Sequence, residues 1–166
     1  MNKNELTDSL CEWLSIFLDT RYSKEYNIEI IQPESHLSRN TNLSIKKLDG
    51  YTSFDFHTDI VGILTHKNSG EVEVVLINRS TSAISLKEIG EMNCYSKILK
   101  SKHSFLASTK GLPDEVNLIL LNDGVAEKLL KITDEMYIHI FKWDAESNQI
   151  DSLSAFPLKN NIITNK

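Results

Sequence analysis

The sequence contains no run of 18 apolar residues, so no transmembrane helix is expected from it. Residues 1–10 are polar and carry acids, which is not the pattern of a secretory signal. Cysteine is scarce: Cys11 and Cys94 are the only two, and their spacing fits no zinc site. Both sit in apolar helical stretches, so they read as buried thiols of a reducing, cytoplasmic compartment. There is no glycine-rich phosphate loop, no internal repeat and no low-complexity linker. Positive charge is in deficit, with 18 basic against 23 acidic residues and a formal net charge of −5. Nonspecific nucleic-acid binding works by displacing counterions and needs surplus cations. The balance weighs against it as a general property and leaves room for a local basic patch.

What is present fits one domain. At 166 residues, 40% hydrophobic and 25% charged, the composition is ordinary for a globular chain. Such a chain buries roughly 70% of its unfolded surface and needs no disulfide or metal to hold a core. The domain is taken as residues 1–156, with 157–166 a polar tail expected to fray. Over 5–18, Leu6, Leu10, Trp13, Leu14, Phe17 and Leu18 recur at helical period, with Asn4 as the expected cap. Tyr26 to Ile31 has strand character, ended by Pro33. Residues 34–50 read as a loop with a short strand near 43–45. Two β-prone runs follow, 54–65 and 72–77, and His66 to Gly70 between them has turn composition, which predicts an antiparallel hairpin. The second run is apolar on both faces and belongs inside a covered sheet. Ser85 is placed to cap a helix reaching about Lys100, with Glu88 as the reciprocal acid and Ile89, Met92, Ile98 and Leu99 facing the sheet. A strand at 105–108, two short helices at 114–122 and 125–132 split at Asp123-Gly124, and a last strand at 136–143 complete the order. The fold class is therefore α/β, a mixed β-sheet with a central antiparallel hairpin flanked by helices. Trp13 and Trp143 read as core.

The chemistry concentrates between Asp59 and Tyr95. Asp59 stands on the first hairpin strand, Ile77-Asn78-Arg79-Ser80 ends the second, and Glu91 and Tyr95 follow on the helix. This stretch resembles the PD-(D/E)xK nuclease superfamily, which includes restriction endonucleases and junction resolvases. The resemblance implies a restriction-endonuclease-like fold. In that family an Asp on one strand and an acid-x-Lys on the next hold a divalent metal and orient water, and a helix with Gln and Tyr follows. Residues two apart on a strand share a face, so an acid and a lysine so spaced converge. Carboxylates and waters suit Mg²⁺ or Mn²⁺, which polarises phosphate and acidifies water.

Carried over, Asp59 matches the family Asp, with Thr58 where Pro is usual. Asn78 falls at the second acid, Ser80 at the lysine, Glu91 at the helix Gln and Tyr95 at the Tyr. One of the three central groups is present, and the catalytic signature is degenerate. Asn78 retains a neutral carbonyl oxygen for a metal. Ser80 does not replace a cation. Glu91 is the candidate to supply the missing acid, with Arg79 or Lys87 as the nearby cation, although Arg79 alternates to the face opposite Asn78 and Ser80 unless the strand has ended. A first-helix acid, Glu5 or Glu12, is a further candidate ligand, against a reading of both as solvated helix edge. The expected site is thus Asp59, Asn78, Ser80 and Glu91 for catalysis, with Asp59, Glu91, Asn78 and Glu12 toward metal.

Other candidates are more scattered. His57 and Asp59 are two apart, but a pair is too few ligands for a protein zinc site. His36, His66, His103 and His139 read as surface or satisfied histidines. Neither cysteine has an identifiable histidine partner for nucleophilic work. Lys97, Lys100 and Lys102, with His103, form a basic cluster that, with Tyr95, is the candidate nucleic-acid contact. The same cations also suit a helix C-terminus. Three functions stay open: a Mg²⁺- or Mn²⁺-dependent nuclease with a rearranged site, a nuclease-like fold that now binds nucleic acid (DNA before RNA) or a protein, and an unrelated α/β domain. Superfamily resemblance also admits a homodimer. No membrane partner is expected.

Overall fold

A computed structural model describes residues 1–163. Helix α1 (Lys3–Tyr22) opens the chain. Its cap is Asn2 and not the expected Asn4: the Asn2 side chain accepts from the Asn4 and Glu5 amides, and the Glu5 carboxylate accepts the Asn2 N–H at 2.7 Å. This reciprocal box satisfies helix-end donors two residues earlier than hydrophobic periodicity alone shows. Strand β1 (Tyr26–Ile31) follows. The expected short strand near 43–45 is absent. Residues 32–59 instead form an irregular cover with three 3-10 turns, at Leu37–Arg39, Ile45–Lys47 and Tyr51–Ser53.

Strands β2 (Ile60–His66) and β3 (Val72–Ser80) pair antiparallel, with Ile60 opposite Ile77 and Thr65 opposite Val72, as the hairpin reading requires. The first strand begins at Ile60, later than the expected 54, because Phe54 and Phe56 belong to the cover and are buried beneath it. Helix α2 (Leu86–Leu99) carries the Ser85/Glu88 capping box. Ile89, Met92 and Leu99 are buried as expected, but Ile98 is 51% exposed and faces solvent. Strand β4 (His103–Ser108), helices α3 (Asp114–Leu120) and α4 (Asp123–Leu130) and strand β5 (Ile138–Asp144) follow. Asp123 and Gly124, expected to separate two helices, are the first turn of α4, capped by Asn122.

The strand expected to be last is followed by another, β6 (Gln149–Phe156). The sheet order is β1-β2-β3-β4-β5-β6, parallel across β3–β4–β5 and antiparallel elsewhere. The expected mixed sheet flanked by helices is what the chain forms. Leu6, Leu10, Leu14, Phe17 and Leu18 of α1 pack on one face with Ile60, Leu64, Val75, Ile77, Phe105 and Phe141. The cover, α2, α3 and α4 pack on the other with Val61, Ile63, Val74, Leu76 and Leu106. Burying each large aliphatic side chain contributes about 1.5–3 kcal/mol, which is why both faces read as continuous apolar runs. Gly62 lets α1 come close to β2: a Cβ there would stand 2.9 Å from Leu18 Cδ1 and 3.4 Å from Leu14 Cδ2.

Two further expectations are corrected by packing. Cys11 is half-buried and Cys94 exposed, both free, so the pair is not a pair of buried thiols. Of the tail expected to fray, Asn161 is buried and Ile162 and Ile163 pack on the α1 side, while residues 164–166 lie outside the described residues. Trp143 is core as expected; Trp13 is only partly buried. No described helix is long and apolar enough to cross a membrane.

Candidate functional site

Asp59 precedes β2 and is not on it, so its side chain is free of the strand's alternation. It turns toward Arg79. The Arg79 backbone N–H donates to Asp59 Oδ2 at 2.9 Å, and Arg79 Nη1 stands 3.2 Å from Asp59 Oδ1. Both side chains are nearly enclosed, 14% and 10% exposed. The guanidinium also donates through Nε to Thr7 Oγ1 on α1. Nη1 makes no hydrogen bond among the described residues, because its contact with Asp59 is ionic and lies off the N–H directions. A buried ion pair of this kind gains Coulomb energy in a poorly solvated place and becomes costly if one partner is removed.

The remaining motif positions are tied up locally. Asn78 Oδ1 accepts the Asp59 backbone N–H at 3.2 Å. Ser80 Oγ accepts the Ser82 N–H at 3.0 Å. Thr58 is buried and donates to the Ile77 carbonyl at 3.2 Å, which fixes the start of β2 against the end of β3. The structure therefore brings Asp59, Asn78 and Arg79 together. Glu91 lies elsewhere in the bonding pattern: it pairs with Lys87 one turn earlier on α2, at 3.6 Å and on the surface. Glu5 closes the α1 capping box, and Glu12 lines a separate cleft beside Trp13 and Trp143. Among the described residues, no group of three or more His, Cys, Asp or Glu side chains gathers as a metal-binding set.

The candidate nucleic-acid contacts separate likewise. Tyr95 stacks face to face on Phe56, centroids 4.2 Å apart and planes 7° off parallel, so that ring face is occupied by the cover. Burial raises the Tyr95 hydroxyl pKa, and the Glu91 charge adds to it. Lys97 and Lys100 are exposed at the end of α2. Lys102 is turned inward, 2.8 Å from Glu73 and 5.1 Å above the rings of Tyr22 and of Tyr26. Burial alone would disfavour its charge, but Glu73 outweighs that and holds the ammonium above its usual pKa. Lys102 donates its backbone N–H to Val74, near the start of β3, whereas Asn78 lies near its end. The cluster and Asp59 are thus toward opposite ends of the strand, roughly 13 Å apart along it at ~3.3 Å per residue.

Of the four histidines expected to be surface or satisfied, His36, His66 and His103 are, and His139 is not. His36 pairs with Asp55 at 2.6 Å, and a ring nitrogen of His57 meets the Pro33 carbonyl at 3.2 Å. His66 Nδ1 accepts the Ser69 N–H at 3.1 Å. His103 is enclosed, with the Tyr22 hydroxyl 2.5 Å from its Nε2, and burial pushes its pKa down to about 3. His139 is buried with Nδ1 unpartnered among the described residues, and burial pushes it down to about 4. Both are neutral near neutral pH, His139 in the core and His103 at its margin.

No protein-family model and no curated protein matches the sequence. Among solved structures, the chain is similar to the MspJI restriction endonuclease in complex with a 27-mer oligonucleotide, with 10% sequence identity and a TM-score of 0.39. The likeness covers 74% of this chain and spans 24% of that one. A similarity of that degree carries neither residues nor activity across.

Proposed function

We propose that this chain is a nuclease-like domain that works by binding a protein partner and not by hydrolysis. The carrying observation is the enclosed Asp59–Arg79 pair, which engages both carboxylate oxygens at the position where the resembled family holds its metal. A divalent ion would have to displace a guanidinium that stays protonated at all accessible pH. Asn78 brings no charge to help, and Glu91 is paired on the helix surface. At an effective dielectric of about 20, losing one carboxylate beside a divalent ion forfeits several kcal/mol of attraction. A Mg²⁺ or Mn²⁺ site of Asp59, Glu91 and Asn78, and cleavage of DNA through it, would require the pair to open.

A protein partner is favoured over nucleic acid by charge and surface. The net charge is −5, and Lys102 of the basic cluster is neutralised internally. Leu121, Leu153 and Leu158, at 51%, 95% and 56% exposed, border one cleft beside edge strand β6. Exposed apolar groups beside a sheet edge are where partner chains pack.

The test is metal-dependent cleavage of plasmid, linear, single-stranded and branched DNA and of RNA, with Mg²⁺ and Mn²⁺ and Asp59→Ala as control. The expected result is no cleavage above the control from folded protein. Cleavage abolished in Asp59→Ala would restore hydrolysis as the function. Gel shifts with the same nucleic acids at low salt decide the partner class: binding that falls steeply with salt would replace the protein by nucleic acid.

A further inference from the structure

A cleft of about 410 Å³ lies between α1 and the β5–β6 hairpin. It falls within the size range of small-molecule sites, roughly 300–1,000 Å³. Trp143, only 3% exposed, and the partly buried Trp13 both line it, so both of the chain's tryptophans border one cavity. The walls are pre-set. Trp13 is held by ring contacts to Phe17, Phe105 and Phe141 at centroid distances of 5.2, 5.1 and 5.3 Å. Asn148, in the left-handed region at φ 53°, accepts through Oδ1 from Ser9 Oγ at 2.8 Å and from the Trp143 indole N–H at 3.3 Å. That bridge ties the hairpin turn to α1 across the rim. Of the described residues lining the cleft, Glu12 is the sole charged one, and it is exposed. None of them belongs to the Asp59–Arg79 pair.

We propose that this cleft binds an organic cation, a quaternary or protonated ammonium group carried on an apolar body. Trp is the strongest of the aromatic residues in attracting a cation through its ring quadrupole, and the partly buried Trp13 brings such a ring to the cleft lining. Glu12 supplies the only formal charge and is of the matching sign; an anion would meet that carboxylate unopposed, and a neutral apolar molecule would leave it unused. The apolar wall from Ile150 and Ile163 accommodates the body of the ligand. The chain's overall negative charge draws the same class of ligand.

Because the chain has only these two tryptophans, its indole fluorescence reports the cleft directly. The probe is benzyltrimethylammonium, titrated into the intact chain, with the two indole N–H resonances followed in parallel by NMR. Saturable quenching is expected, with both indole resonances shifting and affinity about fivefold weaker in Glu12→Gln, the loss appropriate to one exposed ion pair. Glu12 is a surface position, so that variant retains the fold, and unchanged amide spectra away from the cleft check it. Absence of saturation up to about 10 mM, weaker than any useful affinity on the free-energy scale, or equal affinity in Glu12→Gln, would overturn the proposal.

Discussion

Removing the charge of Asp59 separates a structural ion pair from a metal site, because the two predict opposite signs. In an unoccupied metal site a carboxylate is repelled by its neighbours, and Asp→Asn relieves that repulsion and leaves stability unchanged or raised. Here Asp59 is the counter-ion of an Arg79 side chain only 10% exposed, which also donates its backbone N–H to the same carboxylate. Breaking a buried pair by removing one partner costs about 3–5 kcal/mol, since the other charge is left without compensation. Asp59→Asn keeps the shape and part of the hydrogen bonding, so about 2–3 kcal/mol is expected, and Asp59→Ala about 3–4 kcal/mol. For a chain of this size each kcal/mol moves Tm by roughly 2–4 °C, which puts Asp59→Asn at about 4–12 °C below the parent. The assay is thermal and urea denaturation of Asp59→Asn, Arg79→Leu and the double variant, without added metal. The double variant should cost less than the sum of the singles by about 1–3 kcal/mol, because the residues touch. An unchanged or raised Tm in Asp59→Asn, or strict additivity, refutes the reasoning and returns Asp59 to the role of a free ligand.

Other consequences follow from packing and burial. Gly62→Ala should destabilise by about 1–3 kcal/mol in denaturant melts, because the added methyl stands 2.9 Å from Leu18 Cδ1 and only 3.3 Å from Val75 Cβ; a neutral result would mean that α1 has slack over β2. Acid should destabilise the fold through His103 and His139, whose folded pKa values, about 3 and about 4, lie below the ordinary 6.5. The unfolded chain takes up these protons first, so stability is full above pH 6.5 and falls as pH drops through the window toward 4, by about 3 kcal/mol per histidine at pH 4. His139→Leu should flatten that loss in melts across the window, and an unaltered slope would refute it. With a thiol reagent Cys94 should react first and Cys11 more slowly, since Cys94 is exposed and burial raises the Cys11 pKa; Cys94→Ser should remove the fast phase. Phe56→Ala should cost about 3–5 kcal/mol and loosen the cover at 32–59, read as faster amide exchange there, because the ring is buried and stacked on Tyr95.

The elements that the sequence made legible share a property: their signals are local. Ser85 and Glu88 are a capping box three residues apart, and the turn at His66 to Gly70 separates two β-prone runs, so α2 and the β2–β3 hairpin form where expected. The misplaced ones depend on what packs from afar. Phe54 and Phe56 alternate like a strand, yet they are core residues of an irregular segment, because the sheet face under them needs a lid that no helix supplies. Strand β6, Gln149–Phe156, alternates weakly and is an edge, with a register irregularity opposite Ile140 and Lys142. An edge strand that exposes Leu153 almost fully lacks the hydrophobic rhythm that marks a buried one. Ile98 sits one residue off the buried stripe of Ile89, Met92, Ser96 and Leu99, so it turns to solvent while its neighbour Leu99 reaches the core.

The same contrast governs the site. Motif spacing placed Asp59 on the first hairpin strand and Asn78 at the end of the second, and they are bonded to one another through the Asp59 N–H. The spacing also put Arg79 on the opposite face, and the alternation of β3 does send it toward α1, where it meets Thr7. Asp59 nevertheless reaches it because β2 begins one residue later, at Ile60, and releases the carboxylate from the pleat. A one-residue difference in where a strand starts thus decides whether that carboxylate stands free beside Asn78 or is spent on a guanidinium. Such a boundary is set by Thr58, whose hydroxyl bonds to the Ile77 carbonyl and takes the chain out of the ladder just before Asp59. The position where the resembled family carries Pro is therefore more than a neutral departure from the motif. It is the residue through which the hairpin presents Asp59 to Arg79, and an arginine held there opposes a divalent ion at the same carboxylate.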